Sequence, residues 1–293
     1  MLTLLISLIY YQEETVGFND KLVAASRKNK SLLSIGLDPD PNLMLFGEIF
    51  SFNKSIIDAT KNLVCAYKPN LAFYEAEGIS GLNALNETIQ YIKEVAPNIP
   101  IIGDAKRGDI DSTNGFYAKA MFEYWDFDAI TINAFSGLKS IEPFTEDPNK
   151  SILIWCRASN LGAEDLQDVY VSDLKNKIPY FQLIAELANQ ANRNNNVGVV
   201  VGANSPTQLS IVRSICPEMP ILIPGVGAQG GDAKASIEAG LDITNHNIII
   251  NSSRGIIYAP KTLKTFHDDI TNATNDLNSL INMSLKQLGR AWD

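Results

Sequence analysis

Short apolar runs with β-forming composition alternate with amphipathic stretches along most of this chain, and that alternation limits the fold more than any single motif. The runs are residues 32–37, 64–68, 99–104, 129–132, 152–155, 197–201, 221–224 and 248–251. Between them, segments such as 55–63, 82–95, 112–124, 181–193, 207–215 and 232–239 carry apolar residues at helical spacing, as helices do when they bury one stripe against a sheet. Near-continuous apolar strands belong to parallel sheets covered by helices on both faces. Eight of them in 293 residues predict an α/β fold of the (β/α)8 barrel type, the TIM barrel. A doubly wound sheet is the competing arrangement.

The polar residues gather where such a barrel has its catalytic face. Asp38 follows the first run, Lys68 and Asn70 the second, Asp104 and Lys106 the third, Ser159 the fifth, and Ser252, Ser253 and Arg254 the last. The third run passes directly into Asp104-Ala105-Lys106-Arg107-Gly108-Asp109-Ile110. Residues two apart on a strand share a face, so Asp104 and Lys106 are expected to project together, with Asp109 pointing elsewhere. An ammonium beside carboxylates stays protonated, which suits a proton donor that works at neutral pH without histidine. Taken alone, the cluster also fits a solvated charged turn.

Pro224-Gly225-Val226-Gly227-Ala228-Gln229-Gly230-Gly231 matches a Gly-x-Gly-x-x-Gly dinucleotide fingerprint, but only one strand candidate follows it, too little for a dinucleotide domain. In a barrel, the loops after the seventh and eighth strands often hold phosphate through backbone N–H groups, with glycine allowing close approach. Arg254 would add a planar, permanent positive charge. A phosphate clamp is therefore expected there.

A formal charge of −9, from 24 basic and 33 acidic residues, argues against nucleic acid or an anionic membrane as partner and in favour of a small ligand. Cys65, Cys156 and Cys216 are too few and too far apart for a disulfide framework or a Cys-x-x-Cys metal site, which fits a reducing cytoplasm. Two histidines, His246 and His267, leave little for a metal cluster or a Ser-His-Asp triad. Residues 1–10 are apolar, lack basic residues in front of the run and are too short to span a bilayer. Residues 1–16 are expected to form an N-terminal extension and 17–293 one barrel domain. The Asn-rich tail at 272–282, with helix-spaced leucines, is expected to close the bottom of the barrel.

Gly36-Leu37-Asp38-Pro39-Asp40, Tyr67-Lys68-Pro69-Asn70, the Asp104 to Ile110 segment, the glycine-rich loop and Asn251-Ser252-Ser253-Arg254-Gly255, in this order, closely resemble the orotidine 5′-phosphate decarboxylase family. The likeness is to its second, longer bacterial and protozoan type and covers roughly residues 17–260. The resemblance implies cofactor-free, metal-free decarboxylation of orotidine 5′-monophosphate (OMP) to uridine 5′-monophosphate (UMP), with Lys106 as proton donor to C6. It also implies a charged network of Lys68, Asp104, Lys106 and Asp109. Asp109 and Thr113 would come across a homodimer interface. Asp38 and Asn70 would address the ribose, Ser159 the pyrimidine, and Gly227, Gln229, Gly230 and Arg254 the phosphate.

Two departures stand out. Ala134-Phe135 replaces the family's usual Pro-Tyr, and Ala158 stands where threonine is usual, removing a hydroxyl near the base. The segment after Asn160 is long enough for a lid. Two other functions compete: a metal-dependent sugar-phosphate decarboxylase or aldolase of the same barrel group, and a nucleotide-binding barrel without turnover. The first needs a further carboxylate at a strand end, where this chain has Lys68, with Glu75 well beyond it.

Overall fold

The structure, a computed structural model, describes residues 16–45, 47–172, 177–226, 232–244 and 246–292. Its strands are β1 (Leu33–Leu37), β2 (Ala66–Pro69), β3 (Ile102–Arg107), β4 (Ala129–Ile132), β5 (Ser151–Arg157), β6 (Tyr170–Ser172), β7 (Lys177–Pro179), β8 (Val197–Val201), β9 (Ile221–Pro224) and β10 (Ile248–Ser252). Eight of them form one parallel sheet in the order β2-β1-β10-β9-β8-β5-β4-β3. Bridges between Tyr67 and Ile101 and between Asn70 and Asp104 join the two ends, so the sheet closes on itself as a (β/α)8 barrel. Every predicted run becomes a barrel strand. A doubly wound sheet is ruled out, because its edges would stay open. β6 and β7 form a short antiparallel hairpin in the excursion after β5.

The parallel strands are buried on both faces, and their residues divide between two cores. Outward-facing side chains such as Ile35, Ile130, Ile154 and Val199 pack under the helices. Inward-facing Ala66, Ile102, Ala129, Leu153, Val200, Leu222 and Ile249 fill the barrel interior together with Phe18 and Leu22. These last two belong to helix Phe18–Asn29 and stand four residues apart on one face. That helix therefore seals the amino-terminal end of the barrel, anchored by the Lys21–Asp128 ion pair at 2.8 Å and by Phe18 N–H to Asn149 O at 3.1 Å.

The expected role of the tail needs correcting. Helix Phe266–Gln287 lies in the outer ring, packed against helices Ile49–Thr60 and Ala233–Gly240. Its apolar stripe, with Ile270, Ile281 and Leu285 fully buried, is what a ring helix needs, and the interior is already filled by Phe18 and Leu22. Polar contacts tie the tail helix to the bottom loops: Ser31 Oγ donates to Asn278 Oδ1 at 2.8 Å, Asn278 Nδ2 to Leu63 O at 2.7 Å and Asn282 Nδ2 to Lys30 O at 3.0 Å. Among the described residues no helix is long and apolar enough to cross a membrane.

Candidate active site

Strand parity builds the mouth. In the layer directly above Ala66, Ile102, Ala129, Leu153, Leu222 and Ile249, the inward-facing positions two residues on are Lys68, Asp104, Thr131, Trp155, Pro224 and Asn251. The apolar plug thus gives way within one layer to a mostly polar floor.

Asp104 is the centre of that floor. Its Oδ2 accepts from Lys68 Nζ at 2.9 Å, and its Oδ1 accepts from Lys106 Nζ at 2.6 Å and from the Thr131 hydroxyl at 2.8 Å. The Lys68 side chain is 4% exposed and that of Asp104 11%, whereas that of Lys106 is 41% exposed and faces the opening. Burial pushes the Asp104 carboxyl up, but the charges of Lys68 and Lys106 and their hydrogen bonds outweigh it and hold it well below the usual carboxylate range. Burial pulls the Lys68 ammonium down, and attraction to Asp104 and then Asp38 more than reverses this, leaving it above an ordinary lysine. Both groups are therefore ionised across the neutral range.

Asp104 and Lys106 meet as expected, but not by regular strand alternation. The pairing of β3 with β4 slips between Gly103 and Arg107, and Lys106 has a left-handed backbone with φ 46°. Its N–H donates to Thr131 Oγ1 at 3.0 Å. An irregularity of this kind re-aims a side chain at a strand end. A left-handed lysine costs of order 1 kcal/mol and persists where the surroundings hold it, as functional sites do.

Beside this array lies a cavity of about 170 Å³ whose lining includes Asp38, Lys68, Asn70, Asp104, Asn251 and Arg254. The Oδ1 atoms of Asp38 and Asn251 are buried and have no hydrogen-bond partner among the described residues. Buried acceptors are normally satisfied, so two orphans on one cavity call for a ligand that brings hydroxyl or N–H donors. Gly36 makes the approach possible, since a Cβ there would lie 1.8 Å from Ser253 Oγ. Asn70 Oδ1 accepts from Ala72 N–H at 3.2 Å and caps helix Leu71–Ala76. Arg254 opens helix Arg254–Ile257 with its side chain exposed at the rim. Gly227, Gln229 and Gly230 lie outside the described residues. A larger cavity, about 850 Å³, opens at the opposite end beside helix Phe18–Asn29, where Lys21 and Lys150 are already paired with Asp128 and Asp126. It is remote from the charged array.

The loop after β5 is held by Arg157, which forks onto Asp168 through Nε and Nη2, each at 3.0 Å. Ala158 N–H donates to Gln167 Oε1 at 2.7 Å, so the residue that departs from the family pattern is fixed through its backbone. Ser159 packs against Gly202, where a Cβ would come within 2.7 Å of Ser159 Cα. Phe135, the other departure, is 81% exposed.

Asp109 and Thr113 are not brought to the array within the chain. Asp109 Oδ1 accepts from Ile110 N–H at 2.7 Å, and Asn114 brackets the Asp109 backbone at 2.9 and 2.8 Å. Among the described residues Asp109 makes no ion pair. Thr113 is half-buried on helix Asp111–Ala118. Thr131, Trp155 and Asn251, by contrast, belong to the floor although the sequence assigned none of them a role. Their signal was parity: each stands two residues after an inward-facing apolar position.

A (β/α)8 barrel with an ammonium–carboxylate–ammonium array at the carboxyl ends of its strands is the architecture of a barrel enzyme, whose strand ends and loops carry the chemistry. The family described as Orotidine 5′-phosphate decarboxylase / HUMPS matches residues 31–268. An orotidine 5′-phosphate decarboxylase of Cellvibrio japonicus is 47% identical over 253 residues, covering 83% of this chain and 90% of that one. Among solved structures, a putative orotidine-monophosphate-decarboxylase from Toxoplasma gondii is 31% identical with a TM-score of 0.85, covering 94% of this chain and 98% of that one. Leishmania donovani UMP synthase is 37% identical with a TM-score of 0.82; the match covers 92% of this chain but only 56% of the synthase. The chain belongs to the orotidine 5′-phosphate decarboxylase / HUMPS family.

Proposed function

We propose that the protein decarboxylates OMP to UMP and carbon dioxide without metal or organic cofactor, with Lys106 delivering the proton to C6. The observation that carries this reading is the Lys68–Asp104–Lys106 array, a buried carboxylate kept ionised between two ammonium groups at the floor of an open mouth. Breaking the bond between C6 and its carboxylate leaves the electron pair on C6, where the ring cannot delocalise it as an ordinary enolate. Stabilisation has to come from a fixed external charge. Lys106, the more exposed of the two lysines, supplies it and then transfers an Nζ proton to C6, recovering one from water afterwards. Preorganised charge in a water-poor site is usually the largest catalytic term.

Asp104 holds Lys106 in place, and Lys68 keeps Asp104 ionised. Asp38, whose buried Oδ1 has no partner among the described residues, and Asn70 address the ribose; Ser159 addresses the pyrimidine. Gly227, Gln229, Gly230 and Arg254 hold the phosphate, whose binding energy closes the site around C6. Asp109 and Thr113 of the partner subunit complete the array in a homodimer. That Asp109 makes no ion pair among the described residues, together with exposed Ile110, Phe116 and Phe135 on and near that segment, supports this assignment. A metal-dependent reaction would need several free ligands together near the floor, but Glu75 is engaged by Arg107 and Asp104 by two lysines, which leaves Asp38 alone, and among the described residues no group of three His, Cys, Asp or Glu side chains could hold a metal ion. Three buried, unpaired cysteines support a cytoplasmic setting.

Chelator-treated protein mixed with OMP is expected to deplete the substrate's ultraviolet absorbance at the rate of untreated protein. Binding of UMP without turnover of OMP, or turnover that chelator abolishes, rejects the reading.

A further inference from the structure

Trp155 places an indole in the polar floor of the mouth. On β5, Ile154 and Cys156 join the outer core and Leu153 the interior plug, so Trp155 faces the barrel axis one layer above Leu153. Leu153 is fully buried, whereas Trp155 is 38% exposed. Its ring centroid lies 6.0 Å from Lys106 Nζ, the same ammonium that Asp104 holds at 2.6 Å. Lys106 therefore stands between a carboxylate and an aromatic face. The fold does not demand an indole here: a smaller apolar side chain would cover Leu153 and leave less apolar surface in water. A flat, partly exposed indole face is what a planar heterocyclic ring stacks against, and the neighbouring ammonium favours a ring that bears carbonyl oxygens.

We infer that Trp155 contacts the substrate, its indole forming the apolar wall against which the pyrimidine packs and keeping water from the side of Lys106 that meets C6. This inference rests on reading the mouth as the OMP site. The contact is with the base, not with the sugar or phosphate, and that distinction makes it testable with two ligands. UMP carries the base; ribose 5-phosphate does not.

Trp155→Ala is expected to weaken UMP binding roughly 5- to 150-fold, the effect of losing one base–aromatic contact, and to leave ribose 5-phosphate binding unchanged. Trp155→Phe, which keeps an aromatic face, should restore most of the lost affinity. Trp155→Leu keeps apolar cover over Leu153 and tests the same split if the alanine variant does not fold. The chain has three tryptophans, Trp125, Trp155 and Trp292. UMP should therefore change tryptophan fluorescence in Trp125→Phe and Trp292→Phe but not in Trp155→Phe. Equal losses for UMP and ribose 5-phosphate, or a UMP-dependent fluorescence change that survives in Trp155→Phe, would overturn the inference while wild-type turnover of OMP stands. If wild-type protein neither binds UMP nor turns over OMP, the underlying reading falls and the inference falls with it.

Discussion

The Thr131 hydroxyl donates to Asp104 Oδ1 at 2.8 Å and accepts the Lys106 backbone N–H at 3.0 Å, so one buried side chain ties the irregular end of β3 to the charged array. Thr131 is 2% exposed and acts through its neighbours as a positioning residue. Thr131→Val keeps the shape and removes both hydrogen bonds. A hydrogen bond to a charged group contributes about 1.5–3 kcal/mol, so kcat should fall roughly 10- to 150-fold with KM little changed, and Thr131→Ser should recover most of it. Steady-state kinetics on OMP decide this; a valine variant with wild-type kcat removes Thr131 from the account.

On the proposed reading the Lys68–Asp104 pair serves chemistry more than stability, and the two can be separated. Asp104 has a folded pKa below its unfolded value, so its contribution is complete above about pH 4 and is lost as pH falls toward the folded value. Lys68 is raised, so its contribution is complete below about pH 10 and is lost as pH rises through its folded value. Asp104→Asn strands a buried ammonium and should destabilise the protein by about 3–5 kcal/mol at pH 7, a gap that narrows below pH 4. Lys68→Met combined with Asp104→Leu removes both charges and should return to within about 2 kcal/mol of wild type while remaining inactive. Urea titrations of the three proteins are the check. A double variant as unstable as Asp104→Asn contradicts this assignment.

Arg254 lies at the rim, exposed to solvent, so if it holds the phosphate, as proposed, its contribution is moderated by screening. Arg254→Ala should weaken UMP binding about 10- to 100-fold, as for one charge-assisted contact, and leave uridine binding unchanged. Calorimetric titration with both ligands tests it. Parallel losses would place Arg254 away from the phosphate.

The eight strands were legible because parallel barrel strands need continuous apolar runs, and Asp104 and Lys106 because charges at such a run's end are conspicuous. Thr131, Trp155 and Asn251 have equally regular spacing, but only the register of neighbouring strands shows that they share a layer with Lys68 and Asp104. The left-handed backbone of Lys106 was not legible, since it arises from the slipped pairing of β3 with β4 and from Thr131, a residue 25 positions away. Helix Phe18–Asn29 escaped notice for a different reason. It is short and largely polar, and the interior contacts of Phe18 and Leu22 appear only once the barrel has closed over them. The tail was readable as a helix, but its seat in the outer ring depends on which space Phe18 and Leu22 had already filled.

The position of Asp109 leads to the most demanding test. Its carboxylate turns back onto the Ile110 N–H at 2.7 Å, three residues past Lys106, and makes no ion pair within the chain among the described residues. If it completes the array of a second copy, each site of a homodimer draws Lys106 from one chain and Asp109 from the other. Lys106→Ala and Asp109→Ala homodimers should then each be nearly inactive, with UMP binding retained in Lys106→Ala because the ribose and phosphate contacts are intact. Mixing the two variants under conditions that exchange subunits creates heterodimers in which one site carries both lesions and the other neither, as two-fold symmetry requires. Random pairing in equal amounts makes about half of the dimers hybrid, each with one intact site, so activity should return to about a quarter of wild type. Absence of recovery after subunit exchange has been demonstrated by mass would mean that Asp109 works within its own chain.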